Sequence, residues 1–278
     1  MKFKVFAIIF SFLFLLSCSN DNSNLKEELS VIIISSDHSV GKNILNFAIL
    51  DINGNQITDK LESVIVRNLN SDYELILETK FQKWFEGKGA YKSKLNLDES
   101  GFYELLIKIN NIESKAIFNV NKKSLTPIIG EKPPILKTLK ASNISDLKKI
   151  TSDPNPDMNL YNISYEDAIK NSKPTIVLFS TPALCVSGTC GPILENLKNI
   201  KKDYDEFNFL HIEVYKNFIN KTLRDLDTLE VTDPVIEWGL PTEPWIFFLD
   251  NNGILKSKFE GFISENELIS ELNLLKDF

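Results

Sequence analysis

Two cysteines whose spacing suits redox chemistry lie in the C-terminal half of the chain, at Cys185 and Cys190. On a regular α-helix, positions five apart in sequence are about 7.5 Å apart along the axis, which is too far for a disulfide. The two sulfurs can therefore bond only if Cys185 lies in a loop and Cys190 lies in the first turns of a helix. A helix N-terminus also stabilises a thiolate and lowers its pKa. The spacing therefore predicts a thiol–disulfide site.

The elements around the cysteines are predicted to be a buried strand before them and a helix after them. The run Thr175–Phe179 is apolar and largely β-branched, which is typical of a buried parallel strand. Further elements are predicted as a Ser164-capped helix at 165–171, helices at 191–204 and 217–229, a turn at 234–238, strands at 207–214, 245–249 and 254–259, and a last helix that begins at Ser264. This order is a βαβ unit followed by a β-hairpin and a helix.

The first part of the chain, residues 29–122, shows strand patterns without an intervening helix. Seven strands are predicted, at 29–35, 44–50, 63–69, 73–78, 90–97, 102–109 and 113–120, and they predict an antiparallel β-sandwich. The stretch from Gly89 to Tyr103 resembles the late strands of immunoglobulin-like domains, a resemblance of fold that implies no function. Trp84 is expected to cap the sandwich core, with an exposed patch against the second domain as the alternative, and His38 is expected to lie in a solvated loop.

Residues 123–159 form a connector of different composition. Its five prolines favour extended chain, and one helical turn is predicted at 145–150. Apolar residues persist through the segment, so it is expected to lie along a domain surface. Residues 160–278 then form the second domain.

The N-terminus resembles the export signal of a bacterial lipoprotein. Residues 1–17 carry Lys2 and Lys4 before an apolar run that is too short to span a membrane. The sequence LLSC resembles a lipobox, in which Cys18 is diacylated and becomes the new N-terminus. Residues 18–28 are polar enough to form a tether. The resemblance implies an extracytoplasmic protein anchored to a bacterial lipid bilayer through Cys18, with two cysteines left to pair in an oxidising compartment.

The charge distribution argues against a nucleic-acid partner. The formal net charge is −7, and Arg67 and Arg224 are the only two arginines. The lysines are scattered along the chain, so they predict no basic face for phosphates or anionic lipid.

Residues 160–278 resemble the thioredoxin superfamily in the strand–cysteine–helix unit, in Pro244 ahead of WIFFLD, and in the hairpin DNNG followed by KFEGFIS. The resemblance implies an α/β thioredoxin-like domain in which a cis-proline faces the reactive cysteine. Pro244 matches that position, and Pro241 is a second candidate. The substrate groove that follows from the resemblance is formed by Pro244, Glu243, Trp245 and Pro182.

The cysteine motif departs from that of thioredoxin, because four residues rather than two separate the cysteines. Cys190-Gly191-Pro192 matches the Cys-Gly-Pro of thioredoxin, but Ile193 stands in place of its second cysteine. We expect Cys185 to be the attacking thiol and Cys190 to be the resolving thiol. Glu243 is expected near Cys185, where a carboxylate would raise the pKa of the thiol.

Two other families share part of this pattern. The run from Thr181 to Cys185, followed by Cys190, resembles the Q-type peroxiredoxins, but Pro244 stands where their strand carries an arginine. The copper-handling assembly proteins of cytochrome oxidase also have two cysteines and a distal histidine. Here His211 lies within a strand pattern, where it is expected to pack against or bond to a neighbouring strand.

The sequence thus favours a membrane-anchored extracytoplasmic thiol–disulfide oxidoreductase with Cys185 and Cys190 as its catalytic pair. Its expected partners are protein thiols or disulfides, or a redox partner protein, and no cofactor or metal is expected. The alternatives are a thiol peroxidase of the peroxiredoxin type and a non-catalytic binding lipoprotein with a structural disulfide. Copper handling is a further alternative.

Overall fold

The computed structural model describes residues 29–84 and 87–276. The predicted signal peptide at 1–17, the tether at 18–28 and the lipidation site Cys18 lie outside these residues. Within the described part of the chain, no helix combines the length and the apolar character that a bilayer crossing requires.

The first part of the chain consists of two four-stranded antiparallel sheets packed face to face. Its strands are β1 (Ser30–Ile33), β2 (Gly41–Leu50), β3 (Ser63–Asn68), β4 (Glu74–Ile76), β5 (Lys80–Lys83), β6 (Gly89–Leu97), β7 (Gly101–Ile109) and β8 (Ile112–Val120). One sheet has the order β1-β2-β6-β5 and the other β4-β3-β7-β8. Phe47 of β2 and Leu105 of β7 are fully buried in one core cluster, so the inner faces of the two sheets meet. The prediction of an all-β first part is confirmed.

Strand β5 was missed by the sequence prediction, and its composition explains why. Its sequence is KFQK, in which the apolar alternation needed for prediction is almost absent. The strand pairs with β6 at the edge of its sheet, where one side faces solvent. Backbone pairing to β6, together with the packing of Phe81 against the sandwich core, therefore places β5 in the sheet.

The connector, residues 123–159, runs along the second part of the chain with one α-helix, α1 (Ile144–Ile150). Leu136, Ala141 and Leu147 are buried in the cores of the second part. Trp238 also donates a hydrogen bond from Nε1 to the Pro134 carbonyl at 3.0 Å. The apolar residues of the connector therefore pack on the second part, where its prolines keep most of the segment extended.

The second part is a four-stranded mixed sheet with helices on its faces. Its elements are α2 (Tyr165–Ala168), β9 (Thr175–Phe179), α3 (Cys190–Ile200), β10 (Asn208–Ile212), α4 (Asp233–Glu237), β11 (Trp245–Leu249), β12 (Leu255–Glu260) and α5 (Glu265–Lys276). The strand order is β10-β9-β11-β12, in which β10 is parallel to β9 and the other pairs are antiparallel. Alternate residues of β9 enter two different core clusters, one on each face of the sheet. Burial on both faces accounts for the continuous apolar run of β9.

The prediction of a helix at 217–229 is wrong. The segment forms a loop with one 3-10 turn, Leu226–Thr228. The Asp225 carboxylate accepts from the Thr222 backbone N–H at 2.9 Å, and the Asn217 side chain bonds backbone groups of Thr228 and Glu230. Such side-chain bonds offer the backbone an alternative to helical pairing.

The expectation of a solvated His38 is wrong, because its ring packs inside the sandwich, 4.9 Å from the Phe118 ring. His38 is buried, with Nε2 2.8 Å from the Ser35 hydroxyl, and burial lowers its pKa to about 4. The Trp84 ring contacts the Phe262 ring of the second part, with a centroid distance of 5.9 Å, which matches the alternative of a patch against the second domain. Both placements depend on contacts with residues distant in the chain, which local sequence does not indicate.

Candidate redox site

The two cysteines are joined by a disulfide at the corner between β9 and α3. Cys185 lies in the turn that follows β9, Cys190 is the first residue of α3, and their Cα atoms are 5.9 Å apart. The predicted placement, with one cysteine in a loop and the other at a helix start, is confirmed. The corner forms here because β9 runs into Pro182, after which the chain turns before the helix begins.

The two sulfurs differ in their exposure and in their surroundings. Cys190 is fully buried, whereas Cys185 is partly exposed. The Cys185 sulfur accepts a hydrogen bond from the Cys190 backbone N–H at 3.3 Å and lies 3.2 Å from the Ser187 hydroxyl. The first turn of α3, residues 190–193, carries no acidic side chain. The helix N-terminus and these two donors therefore stabilise negative charge on Cys185 when the disulfide is open.

Glu243 lies beside the other sulfur. Its Oε2 atom is 3.7 Å from the Cys190 sulfur, so the expectation that it neighbours Cys185 is corrected to Cys190. The peptide bond between Glu243 and Pro244 is cis, as the resemblance implied for this proline. Glu243 is partly buried, and burial raises the pKa of its carboxyl to about 7. This group can therefore hold or release a proton near neutral pH at the buried sulfur.

A second buried acid, Glu213, was missed by the sequence prediction. It follows β10 and is 5% exposed, and its Oε2 accepts from the Ser152 backbone N–H at 2.6 Å. Burial raises the pKa of Glu213 to about 7, and its charge contributes to the raised pKa of Glu243. The sequence did contain an indication of this acid, because Glu213 is the only charged residue in the apolar run FNFLHIEV. An isolated charge in such a run must be buried or must end the strand.

The remaining predicted groove residues have different environments. Pro182 is partly exposed in the turn before Cys185, and Pro244 is buried. Trp245 is 3% exposed within the core, and its Nε1 donates to the Thr242 hydroxyl at 3.1 Å. Trp245 is therefore packed beneath the cis-proline loop, where it also lines a cavity shared with Asp37 and Lys258.

His211 is held by protein groups at both ring nitrogens. Its Nδ1 lies 2.6 Å from the Tyr161 hydroxyl, and its Nε2 lies 2.8 Å from the Ser180 hydroxyl. Burial lowers the pKa of His211 to about 4. The expectation that His211 bonds within the fold is confirmed. Among residues 29–84 and 87–276, no group of three or more His, Cys, Asp and Glu side chains could hold a metal ion.

Neither arginine contacts Cys185 within the described part of the chain. Arg67 is paired with Glu104 in the sandwich, at 2.7 Å, and Arg224 is exposed in the loop after β10. Among the described contacts, therefore, no arginine supplies the cation that a peroxidatic thiolate requires.

Comparison with known proteins gives no family for this chain. No protein-family model matches it, and no curated protein matches it. Among solved structures it is similar to the Lin-41 filamin domain, with 12% identity over 35% of this chain and 96% of that one and a TM-score of 0.25. It is also similar to the ZirS C-terminal domain, with 12% identity over 44% of this chain and 84% of that one and a TM-score of 0.22. Likenesses at these scores carry no argument about fold or function.

Proposed function

We propose that this protein is a thiol–disulfide oxidoreductase whose second part is a thioredoxin-like domain. One observation carries the proposal: a partly exposed sulfur at a helix N-terminus is bonded to a buried sulfur that contacts an acid with a pKa of about 7. A purely structural disulfide has no need for either group. The strand–turn–helix corner and the cis-proline beside it support the thioredoxin-like assignment, and the two packed sheets support an immunoglobulin-like assignment for the first part.

The exchange begins at Cys185 because its sulfur is the more accessible of the two. A thiolate of the substrate attacks the Cys185 sulfur and forms a mixed disulfide. The bond between Cys185 and Cys190 breaks, and its electron pair goes to the Cys190 sulfur. A second substrate thiolate then attacks the substrate sulfur of the mixed disulfide and releases Cys185 as a thiolate. The substrate dithiol loses two electrons, and the cysteine pair gains them.

Glu243 supplies the proton that the leaving sulfur needs. When its carboxyl is protonated, it gives the proton to Cys190 as that sulfur departs and becomes a carboxylate. In the reverse direction, the carboxylate accepts the proton of the Cys190 thiol, which then attacks the mixed disulfide at Cys185. The direction of electron flow follows from the potential of the pair relative to that of its partner.

The proposed location is extracytoplasmic, with the chain anchored to a bacterial membrane by lipid on Cys18. A disulfide between Cys185 and Cys190 supports this location, because such bonds persist in oxidising compartments. Protein thiols or disulfides presented outside the cytoplasm are then the substrates, and the acidic charge of the chain argues against nucleic acid.

Equilibration with glutathione tests the proposal. The full chain carrying Cys18→Ser, in which only Cys185 and Cys190 contribute thiols, is equilibrated in glutathione redox buffers and its free thiols are counted. We expect a midpoint potential above about −300 mV, the range of exchangeable disulfides. A potential below that value would identify a structural disulfide and overturn the proposal. Peroxide consumption that is lost with Cys185→Ser would favour the peroxidase instead.

A further inference from the structure

The sandwich reaches the loop that carries Glu243 through the carboxylate of Glu260 in β12 and through a longer contact, 3.5 Å, between the hydroxyls of Ser36 and Thr242. Glu260 accepts from the backbone N–H and the hydroxyl of Ser36, at 2.7 and 2.6 Å. It also accepts from the Thr242 hydroxyl at 2.6 Å. Ser36 belongs to the sandwich, and Thr242 directly precedes Glu243. One carboxylate therefore joins the first part of the chain to the loop beside the disulfide.

A second anchor lies next to the first. The Asp37 side chain is fully buried and accepts from the backbone N–H of Leu125 at 2.9 Å and from Lys258 at 3.2 Å. Lys258 and Glu260 are two positions apart in β12, so their side chains lie on the same face of the strand. Ser36 and Asp37 thus hold two neighbouring side chains on one face of β12, Glu260 and Lys258. In the sheet, Glu260 is paired with Trp245 of β11.

We propose that the sandwich is a positioning element for the redox site, in which Ser36 acts through Glu260 and Thr242 to hold Glu243 against Cys190. The inference rests on the function proposed above. The three hydrogen bonds to Glu260 are short, whereas the contact from Glu243 to Cys190 is 3.7 Å. Because the Glu243 oxygen and the Cys190 sulfur are already 3.7 Å apart, a loop displacement of about 1 Å would break their contact. Misplacements of this size can cost up to about a hundredfold in rate.

The test compares rate constants for reduction of the disulfide by dithiothreitol at pH 6.5, in the full chain carrying Cys18→Ser. Thr242→Val removes the Thr242 hydroxyl, which bonds Glu260 and also accepts from Trp245, and Glu260→Gln removes one carboxylate oxygen from the link. Thr242→Ser keeps the hydroxyl and both of these bonds. Lys92→Gln is the matched control, because Lys92 pairs with Glu267 at 2.6 Å across the same two parts but away from the loop. We expect reduction to be three- to tenfold slower in Thr242→Val and Glu260→Gln, and unchanged in Thr242→Ser and Lys92→Gln.

A double-variant cycle separates positioning of Glu243 from a general loss of structure. If the link acts through Glu243, Thr242→Val has no further effect on the rate in a Glu243→Gln background. Equal slowing in both backgrounds would overturn the inference, as would wild-type rates in Thr242→Val and Glu260→Gln. Equal slowing by Lys92→Gln would show that interface loosening alone is responsible. Since dithiothreitol reduces structural disulfides as well, this test remains decisive even if the glutathione potential overturns the proposed function.

Discussion

Replacement of the proposed proton donor, Glu243→Gln, should abolish a pH dependence that the wild-type disulfide shows near neutrality. Below its pKa of about 7, the wild-type carboxyl is protonated and can donate to the departing Cys190 sulfur. Above that pKa, a carboxylate faces a sulfur that is gaining negative charge and opposes its departure. The rate constant for reduction, expressed per thiolate of the reductant, should therefore fall as the pH rises through about 7.

The size of the effect follows from the distance between the two groups. Two unit charges 3.7 Å apart repel by about 4.5 kcal/mol at an effective dielectric constant of about 20. About half of a charge develops on the leaving sulfur in the transition state, so the barrier should rise by about 2 kcal/mol. That increase corresponds to a rate about 30-fold lower above the pKa than below it.

Stopped-flow reduction by dithiothreitol between pH 5.5 and 8.5 measures this profile. Gln is neutral throughout the range, so the normalised rate of Glu243→Gln should not vary with pH. The exposed acid Glu237 provides a matched control, since Glu237→Gln should keep the wild-type profile. A flat wild-type profile, or the same fall in Glu243→Gln, would refute the role of Glu243 as proton donor.

Three other outcomes are expected. Cys185 in the Cys190→Ser variant should be alkylated by iodoacetamide at pH 7 at least tenfold faster than Cys190 in the Cys185→Ser variant, because only Cys185 is exposed. Similar alkylation rates would contradict this expectation. Glu213→Gln should move the midpoint of the reduction profile below pH 7, because the Glu213 charge raises the pKa of the neighbouring carboxyl, and an unchanged midpoint would show that the two acids are uncoupled. Asp153→Asn breaks a buried ion pair with Lys198, whose N–O distance is 2.6 Å. Because Lys198 keeps its pair with Glu195 at 2.7 Å, the free energy of unfolding in urea should fall by about 2 kcal/mol, less than for a charge left without a partner; an unchanged value would contradict the pairing.

Local features of the fold were predictable because they depend on neighbours in sequence. The Ser264 hydroxyl accepts from the Glu267 backbone N–H at 3.4 Å, and Glu267 accepts from the Ser264 backbone N–H at 3.0 Å, which is the capping box that their spacing predicts. The apolar run Thr175–Phe179 forms a strand because its side chains suit a sheet that is covered on both faces. The prediction failed at 217–229, where helical spacing of apolar residues competes with side-chain bonds to the backbone.

The candidate site was predictable only in part. Contacts between residues close in sequence could be predicted, whereas contacts between distant residues could not. Cys185 and Cys190 are close in sequence, so one corner of backbone decides whether they can bond. Glu243 lies more than fifty residues from Cys190, and its place at the buried sulfur depends on the pairing of β11 with β9. Its pKa depends further on burial and on Glu213, which approaches from β10.

The order of residues alone specified an all-β first part, a strand–turn–helix corner with two cysteines, and a proline ahead of β11 in the second part. These features arise from side-chain periodicity, caps and backbone restrictions that act over a few residues. Packing of distant segments decided which sulfur is buried, which acid touches it, and how Ser36 of the sandwich reaches the cis-proline loop. Burial and electrostatic coupling are properties of the assembled three-dimensional surroundings, so a side chain acquires them only when the chain has folded.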